Sequence, residues 1–384
     1  MNANTQAVRT IRNGRSDGRS RSSALSRNCF LLVAGLAIAG VADAGLLTVP
    51  NGDFSVVANA GTVGGGIVGS SGADVPIGSG PWTATFEGVI GLLVPPTLEI
   101  SSATRSARIS NVAGASAVTV VNNGGHFGQT LTATTQSNKR YTLIGNLSTS
   151  VVLDLPLLAT AGTGIALYAN GAALVSSTTA PAGQVRIDAV DATTSRIQIY
   201  QDTGTVTPAP IAVRLFDRPQ GLLSASVIDA ATFSDIKVAE SAIPPDGNTT
   251  LTVTGGGSQG VPVGQPFPVQ MTAVVRDQNG NPVPNTLVTL TAPPTGASAT
   301  LHAGGESGRI IVAFTDANGQ ITFTADANEI AGCYSVIGQV EGIPHNAVFR
   351  LRNYSPNQVA AYLAAHPGAN GMPQDSVFCN GFEG

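Results

Sequence analysis

The 384-residue chain is poor in charge, with Asp, Glu, Lys and Arg making up only 11% of it. That scarcity excludes long exposed helices carried by Lys and Glu. A net charge of -4 leaves no basic footprint for nucleic acid. Aromatics are few: 12 Phe, 6 Tyr and 1 Trp serve both cores and any binding platform. The 4 histidines form no H-E-x-x-H motif and no i, i+4 pair, and with 3 cysteines they offer too few ligands at metal-site spacing for zinc. In place of these the chain has 46 Gly and 23 Pro among abundant Ala, Val, Thr and Ser. Short strands joined by tight turns follow from that composition, an all-β fold, and the length predicts two domains.

The first 44 residues differ from the rest. Arg9, Arg12, Arg15, Arg19, Arg21 and Arg27 precede the apolar run FLLVAGLAIAGVA, which ends in Ala42-Asp43-Ala44. This is the order of a secretory signal peptide with its A-x-A cleavage site, so residues 1–44 are expected to be removed and the mature chain to begin near Gly45. The run is shorter than the roughly 20 residues a spanning helix needs, and Cys29 stands before it, where a lipidated Cys would follow it. No membrane span is expected in the mature chain. Cys333 and Cys379 then remain, an even pair in an oxidising compartment, which form a disulfide if their sulfurs meet.

From residue 45 to 240 β-type runs alternate with Gly, Asn, Ser and Thr clusters. They include LEISS, SAVTVVNN, KRYTLIGNL, GIALYANG, QVRIDAV, SRIQIYQ and ATFSDIKVA. In RIQIY the period of two places Ile197 and Ile199 on one face and Arg196, Gln198 and Tyr200 on the other. Residues 241–250 contain IPPDGNTT, whose adjacent prolines and Asp-Gly read as an exposed linker. Between 251 and 353 come LTVTG, FPVQMTAVVRD, TLVTLTAP, RIIVAFTD, QITFTAD, GCYSVIGQVEG and AVFRLRN, the strand count and spacing of a seven-stranded sandwich. Residues 354–384 hold a short helix, with Ser355 as N-cap, Pro356 at the first position and His366-Pro367-Gly368 as its stop, and then a tail.

Three motifs in order, Val275 to Pro293, Thr315 to Gln320 and Asn328 to Val336, make the second unit resemble the bacterial Ig-like repeat of the invasin and intimin type. The resemblance implies a secreted or surface spacer domain that presents something else. Two features depart from it: a single such domain in place of a tandem array, and Cys333 beside the usual Gly-x-Tyr. The closing Phe-Cys-Asn-Gly-Phe-Glu is similar to endings of exported proteins of some Gram-negative bacteria.

The opening LLTVPNGDFSV, then Trp82, FGQTL, RYTL, and the closing FSDIKV together resemble a galactose-binding-like jelly roll. In that fold the first and last of these segments meet. The resemblance implies a structural calcium near the joined ends, held by Asn51, Asp53 and Asp235; as plain turn residues the same side chains would bond local backbone instead. It also implies sugar binding, for which an aromatic must lie exposed beside polar groups. Trp82, Tyr168 and Tyr200 are the candidates, each with core packing or a sheet edge as its alternative, and Tyr200 sits on the polar side of its strand.

Two formal catalytic motifs fail on context. GGGIVG, 64–69, fits G-x-G-x-x-G but opens no helix, and GGSQG, 256–260, fits G-x-S-x-G but precedes VPVGQPFPV. Glu87, Glu99, Asp53 and Asp74 carry nothing that marks a glycosidase pair. The expectation is an exported, non-enzymatic, adhesin-like protein that binds a glycan or a surface protein, needs no cofactor beyond a structural calcium, and is secreted or held at the cell surface of a Gram-negative bacterium. An accessory or catalytic part in extracellular polysaccharide breakdown, and a purely structural envelope protein, are the alternatives.

Overall fold

The computed structural model describes residues 44–64, 74–88, 96–110, 123–151, 161–219, 228–245 and 248–369. The signal peptide, GGGIVG beyond Gly64, SAVTVVNN, Cys379 and the C-terminal ending lie outside these residues.

The described chain is all-β with one short helix. Its first half comprises β1 (Gly45–Leu47), β2 (Gly61–Gly64), β3 (Asp74–Pro76), β4 (Thr83–Gly88), β5 (Thr97–Ser101), β6 (Ser106–Ser110) and β7 (Asn123–Thr134). It continues through β8 (Arg140–Val151), β9 (Ala161–Ala169), β10 (Ala172–Ser176), β11 (Val185–Ala189), β12 (Thr194–Asp202), β13 (Pro210–Pro219) and β14 (Ile228–Ser241). One sheet runs β11-β12-β8-β14-β6-β5-β2, with β1 also paired to β14, and the other runs β10-β9-β13-β7-β4-β3. Alternation decides what lies between the sheets: Leu143, Ile197, Ile199 and Val238 from the first meet Phe127, Ile165, Val213 and Leu215 from the second in one core.

The second half comprises β15 (Thr250–Gly255), β16 (Ser258–Pro262), β17 (Met271–Arg276), β18 (Leu287–Thr291), β19 (Ala299–Ala303), β20 (Glu306–Gly308), β21 (Ile310–Phe314), β22 (Gln320–Ala327), β23 (Gly332–Gln339) and β24 (Ala347–Tyr354). They form the sheets β15-β17-β22-β19-β20 and β16-β24-β23-β18-β21. All seven expected strands are present, FPVQMTAVVRD being shortened to β17, and β16, β19 and β20 are added. Those three are short and rich in Gly, Pro, Ala or Ser, so they carry little β signal. Phe323 and Phe349 meet edge-on in the core at 4.9 Å between centroids.

Two like-built turns brace this sandwich. In each an Asp carboxylate accepts backbone N–H bonds from the residues two and four further on: Asp277 from Asn279 and Asn281, and Asp316 from Asn318 and Gln320. The following Gly280 and Gly319 adopt φ of 82° and 70°. Gly319 is needed twice over, because a Cβ there would lie 2.6 Å from the Val275 carbonyl oxygen of strand β17.

The helix, α1 (Pro356–Ala365), is the one expected. The Ser355 hydroxyl accepts from the Gln358 N–H at 3.3 Å, Gln358 Oε1 accepts from the Ser355 N–H at 2.9 Å, and His366 caps the other end.

The segment read as an exposed linker is held at both ends. The Ala242 N–H donates to the Asn285 carbonyl at 2.7 Å and Thr249 is fully buried. Ile144 and Ala239 of the first sandwich pack with Leu287, Val312 and Phe314 of the second in a small core of their own. Each such aliphatic side chain, fully buried, favours the contact by about 1.5–3 kcal/mol.

Candidate functional site

The second sandwich covers the outer face of β8, β12 and β14, and this decides the fate of Tyr200. The alternation in RIQIY holds: Ile197 and Ile199 enter the core while Arg196, Gln198 and Tyr200 point the other way. That other way is not solvent. Tyr200 is 8% exposed, with the Arg140 guanidinium 4.0 Å over its ring, and burial raises its hydroxyl pKa against the pull of Arg140. The expectation of an exposed Tyr200 is therefore corrected by a contact between sandwiches, which the period of a strand cannot register.

Around it lies a polar clamp. Arg140 donates to Asp202 through Nε at 2.6 Å and Nη2 at 2.8 Å, and its Nη1 donates to the Glu341 carbonyl. Arg186 pairs with Asp188 at 2.6 Å and reaches Glu341 at 3.4 Å, whose carboxyl pKa is raised by burial despite the two arginines. Arg196 donates to the Ile310 carbonyl at 2.6 Å and to Asp235 at 2.7 Å. Lys237 bridges Asp235 to Glu306, and Arg309 donates to the Val190 carbonyl at 2.8 Å.

The ends of the first sandwich meet as the jelly-roll likeness implied. The Ile236 N–H donates to the Gly52 carbonyl at 2.9 Å, and a Cβ on Gly52 would stand 2.4 Å from the Ile236 carbonyl oxygen. Asn51, Phe54 and Asp235 all adopt positive φ here. The oxygens do not suit a cation, however. Asp235 already faces Arg196 and Lys237, Asp53 Oδ1 accepts from the Ser55 N–H and hydroxyl, and Asn51 Oδ1 accepts from the Val56 N–H. Calcium wants six to eight converging oxygens, and among the described residues no group of three or more His, Cys, Asp and Glu converges.

Trp82 is fully buried against Phe54, its indole N–H donating to the Asn51 carbonyl at 3.1 Å. It supports the joined ends from within and presents no face to a ligand.

Tyr168 is placed differently. Ile165 and Leu167 of β9 enter the core, so Ala166 and Tyr168 face outward on the sheet that the second sandwich does not cover. On β13, Ala212 and Arg214 do the same between Ile211, Val213 and Leu215. The register sets Tyr168 beside Ala212 and Thr130, and Ala166 beside Arg214, Gly128 and Thr83. Fully buried Ala166 and half-buried Ala212 and Gly128 lie beside half-buried Tyr168 and Arg214, whose guanidinium stands 4.1 Å from the ring centroid, and Thr83 and Thr130 border them. Sequence reasoning missed Arg214. The alternation of IAVRLF points it outward, but only the β9–β13 register brings it to Tyr168.

Other sequence candidates do not form sites. His302 Nε2 lies 3.0 Å from Asp326 Oδ2 on an open sheet face, and Ser307 is opposite His302 in the pairing, yet among the described residues the Ser307 hydroxyl makes no bond to the ring. In GGSQG, Gly256 adopts φ of 63° and Ser258 opens a strand, so no nucleophile elbow exists. Cys333 stands half-buried on β23, and its expected partner lies outside the described residues. Among the described residues no helix is long and apolar enough to cross a membrane.

No family model matches the chain, and no curated protein matches it. Similar solved structures include the adhesin InvE of Yersinia pseudotuberculosis, at 14% identity and TM-score 0.23 over 60% of this chain. The chain spans about half, 54%, of that protein's length. The adhesin domain of Epf from Streptococcus pyogenes matches at 10% identity and TM-score 0.25 over 82% of this chain and 97% of its own, and the D0-D1 domain of Intimin at 11% and 0.21 over 60% and 90%. Likeness at this level carries no argument about fold or function.

Proposed function

We propose that the chain is an exported, non-enzymatic binding protein of adhesin-like character. Its first sandwich takes a glycan on the Tyr168 face, and its second, of the invasin and intimin Ig-like type, holds that face in a set direction at the cell surface or outside it. Export rests on the signal-peptide pattern of residues 1–44, and in the oxidising compartment that this implies Cys333 and Cys379 form a disulfide.

The observation that carries the reading is the outward Tyr168–Arg214 pair beside Ala and Gly. An aromatic ring with flanking hydroxyls and a cation is the chemistry that a sugar's apolar face and its polar rim require.

A glycan array probed with the mature chain and with Tyr168→Ala tests this. Binding to a defined set of glycans that is lost in the folded variant is expected. Equal binding by both proteins, or none by either, would end the glycan reading. A Tyr200→Ala variant serves as a contrast, because Tyr200 faces the second sandwich and its loss should lower stability before it alters binding.

A further inference from the structure

We infer that the glycan taken by the Tyr168 face carries carboxylates, as a uronate polymer does. This rests on the binding reading above and adds the charge of the ligand.

The protein's own arginines supply the argument. Arg140, Arg186 and Arg196 each donate to a carboxylate, and Arg309 donates to carbonyls of Ala292 and Val190 at 2.6 and 2.8 Å. Arg214 is half-buried like several of these, yet among the described residues it has no hydrogen bond and no ion pair, and its guanidinium stacks on the Tyr168 ring. Its neighbours on the face, Ala166, Ala212, Gly128, Thr83 and Thr130, bring no carboxylate.

A guanidinium held in place by an aromatic ring, with its N–H fork unfilled, is prepared for a bidentate anion. Stacking on Tyr168 limits the side chain's freedom, so less is lost when the fork is filled. A planar carboxylate on a sugar ring matches the fork in geometry and charge. Thr130 offers its hydroxyl to the ring's own hydroxyls, Thr83, whose hydroxyl donates to the Gly128 carbonyl at 3.2 Å, can accept from them, and Tyr168 offers an apolar surface to its carbons. A neutral sugar would fill the fork with hydroxyl oxygens alone and leave its charge unmatched.

The test is affinity electrophoresis of the whole mature chain in polygalacturonate, in the same polymer with its carboxyls methyl-esterified, and in dextran sulfate. Esterification keeps the sugar backbone and removes the charge. Retardation in polygalacturonate is expected to weaken roughly tenfold or more on esterification, since a lost charge-assisted bidentate contact is of that size. Arg214→Ala should lose binding to the same degree and Arg214→Lys, which keeps the charge but not the fork, should lose most of it. Both variants sit on an outer sheet face, and unchanged unfolding midpoints would show that they fold.

Equal binding by Arg214→Ala and the unaltered chain would overturn the inference, as would indifference to esterification or preference for dextran sulfate. The two readings fail separately. Binding to neutral glycans that needs Tyr168 but not Arg214 refutes the carboxylate and leaves the glycan face standing, while no binding to any glycan refutes both.

Discussion

Replacing Arg196 with Met should separate the two sandwiches in stability. Arg196 is buried, and each arm of its guanidinium does something different. Nη1 reaches the Ile310 carbonyl, which lies on edge strand β21. Thr291 and Ile310 are partners there, and the ladder bond beside them runs from the Ala292 N–H to the Arg309 carbonyl, so the Ile310 carbonyl points away from its own sheet. Arg196 is its donor, and a carbonyl stripped of its donor in a buried site costs about 1–3 kcal/mol. Nη2 pairs with Asp235, whose side chain is 35% exposed and also held by Lys237, so that pair contributes about 1 kcal/mol at most. Met keeps much of the apolar stem, which leaves a loss of about 1–4 kcal/mol. Scanning calorimetry should turn one transition into two, or move the single transition down by several degrees. One unsplit transition at the original midpoint would refute the reasoning, because the clamp would then contribute nothing.

Three further outcomes follow from local geometry. Asp217 is buried with only Thr163 bonded to it among the described residues, at 2.8 Å, and burial raises its carboxyl pKa more than that bond lowers it. A raised folded pKa means that its contribution is full below the ordinary carboxyl range and is lost as pH rises through the folded value. Asp217→Asn should therefore raise the unfolding midpoint at about pH 7.5 and leave it unchanged near pH 4; a lower midpoint at the higher pH would contradict this. Gly52→Ala must move the Ile236 carbonyl and should cost about 3 kcal/mol or more in denaturant unfolding, whereas Gly204→Ala, which meets nothing within 4 Å, should be close to neutral. If Cys333 and Cys379 pair, exported protein should show no titratable thiol until it is reduced, and Cys379→Ser should release one; a thiol in the unaltered exported chain would count against the bridge.

Much of the fold was legible because it depends on local chemistry. The capping box at Ser355 and Gln358, the Asp-x-Asn-Gly turns at 277 and 316, and the alternation of Val288 and Leu290 into the core each need only a few neighbouring residues. β16, β19 and β20 were not legible, because Gly, Pro and Ala give little propensity and those strands exist through their partners. The joining of Gly52 to Ile236 followed from likeness to a jelly roll, and its physical necessity is visible only in the space that a Cβ would lack. Of the candidate site, Tyr168 was legible as an aromatic on a strand, whereas Arg214 belongs to it through a register between strands more than 40 residues apart in sequence.

Strand alternation separates core from not-core, and it says nothing about whether not-core means water or another domain. Tyr168 and Tyr200 show the ambiguity, since both face away from the first core and only Tyr168 keeps its exposure. Charge density resolves it. The chain is 11% charged, yet residues 186–202 hold Arg186, Asp188, Asp191, Arg196 and Asp202, five of 17 and of both signs. Four of those five take part in ion pairs of the clamp against the second sandwich. The outer residues of β9 and β13 nearest Tyr168 are Ala166, Ala212 and Arg214, and among the described residues no opposite charge pairs with that Arg. In a charge-poor chain a dense mixture of signs is matched within the chain, because its partners are made by the same sequence and can be fixed together. A lone charge of one sign on a face of small residues has no such match among the described residues, and that is the ground on which a carboxylate ligand is proposed for it. The clamp and the Tyr168 face therefore differ in one respect, which is whether the ion pair is complete among the described residues.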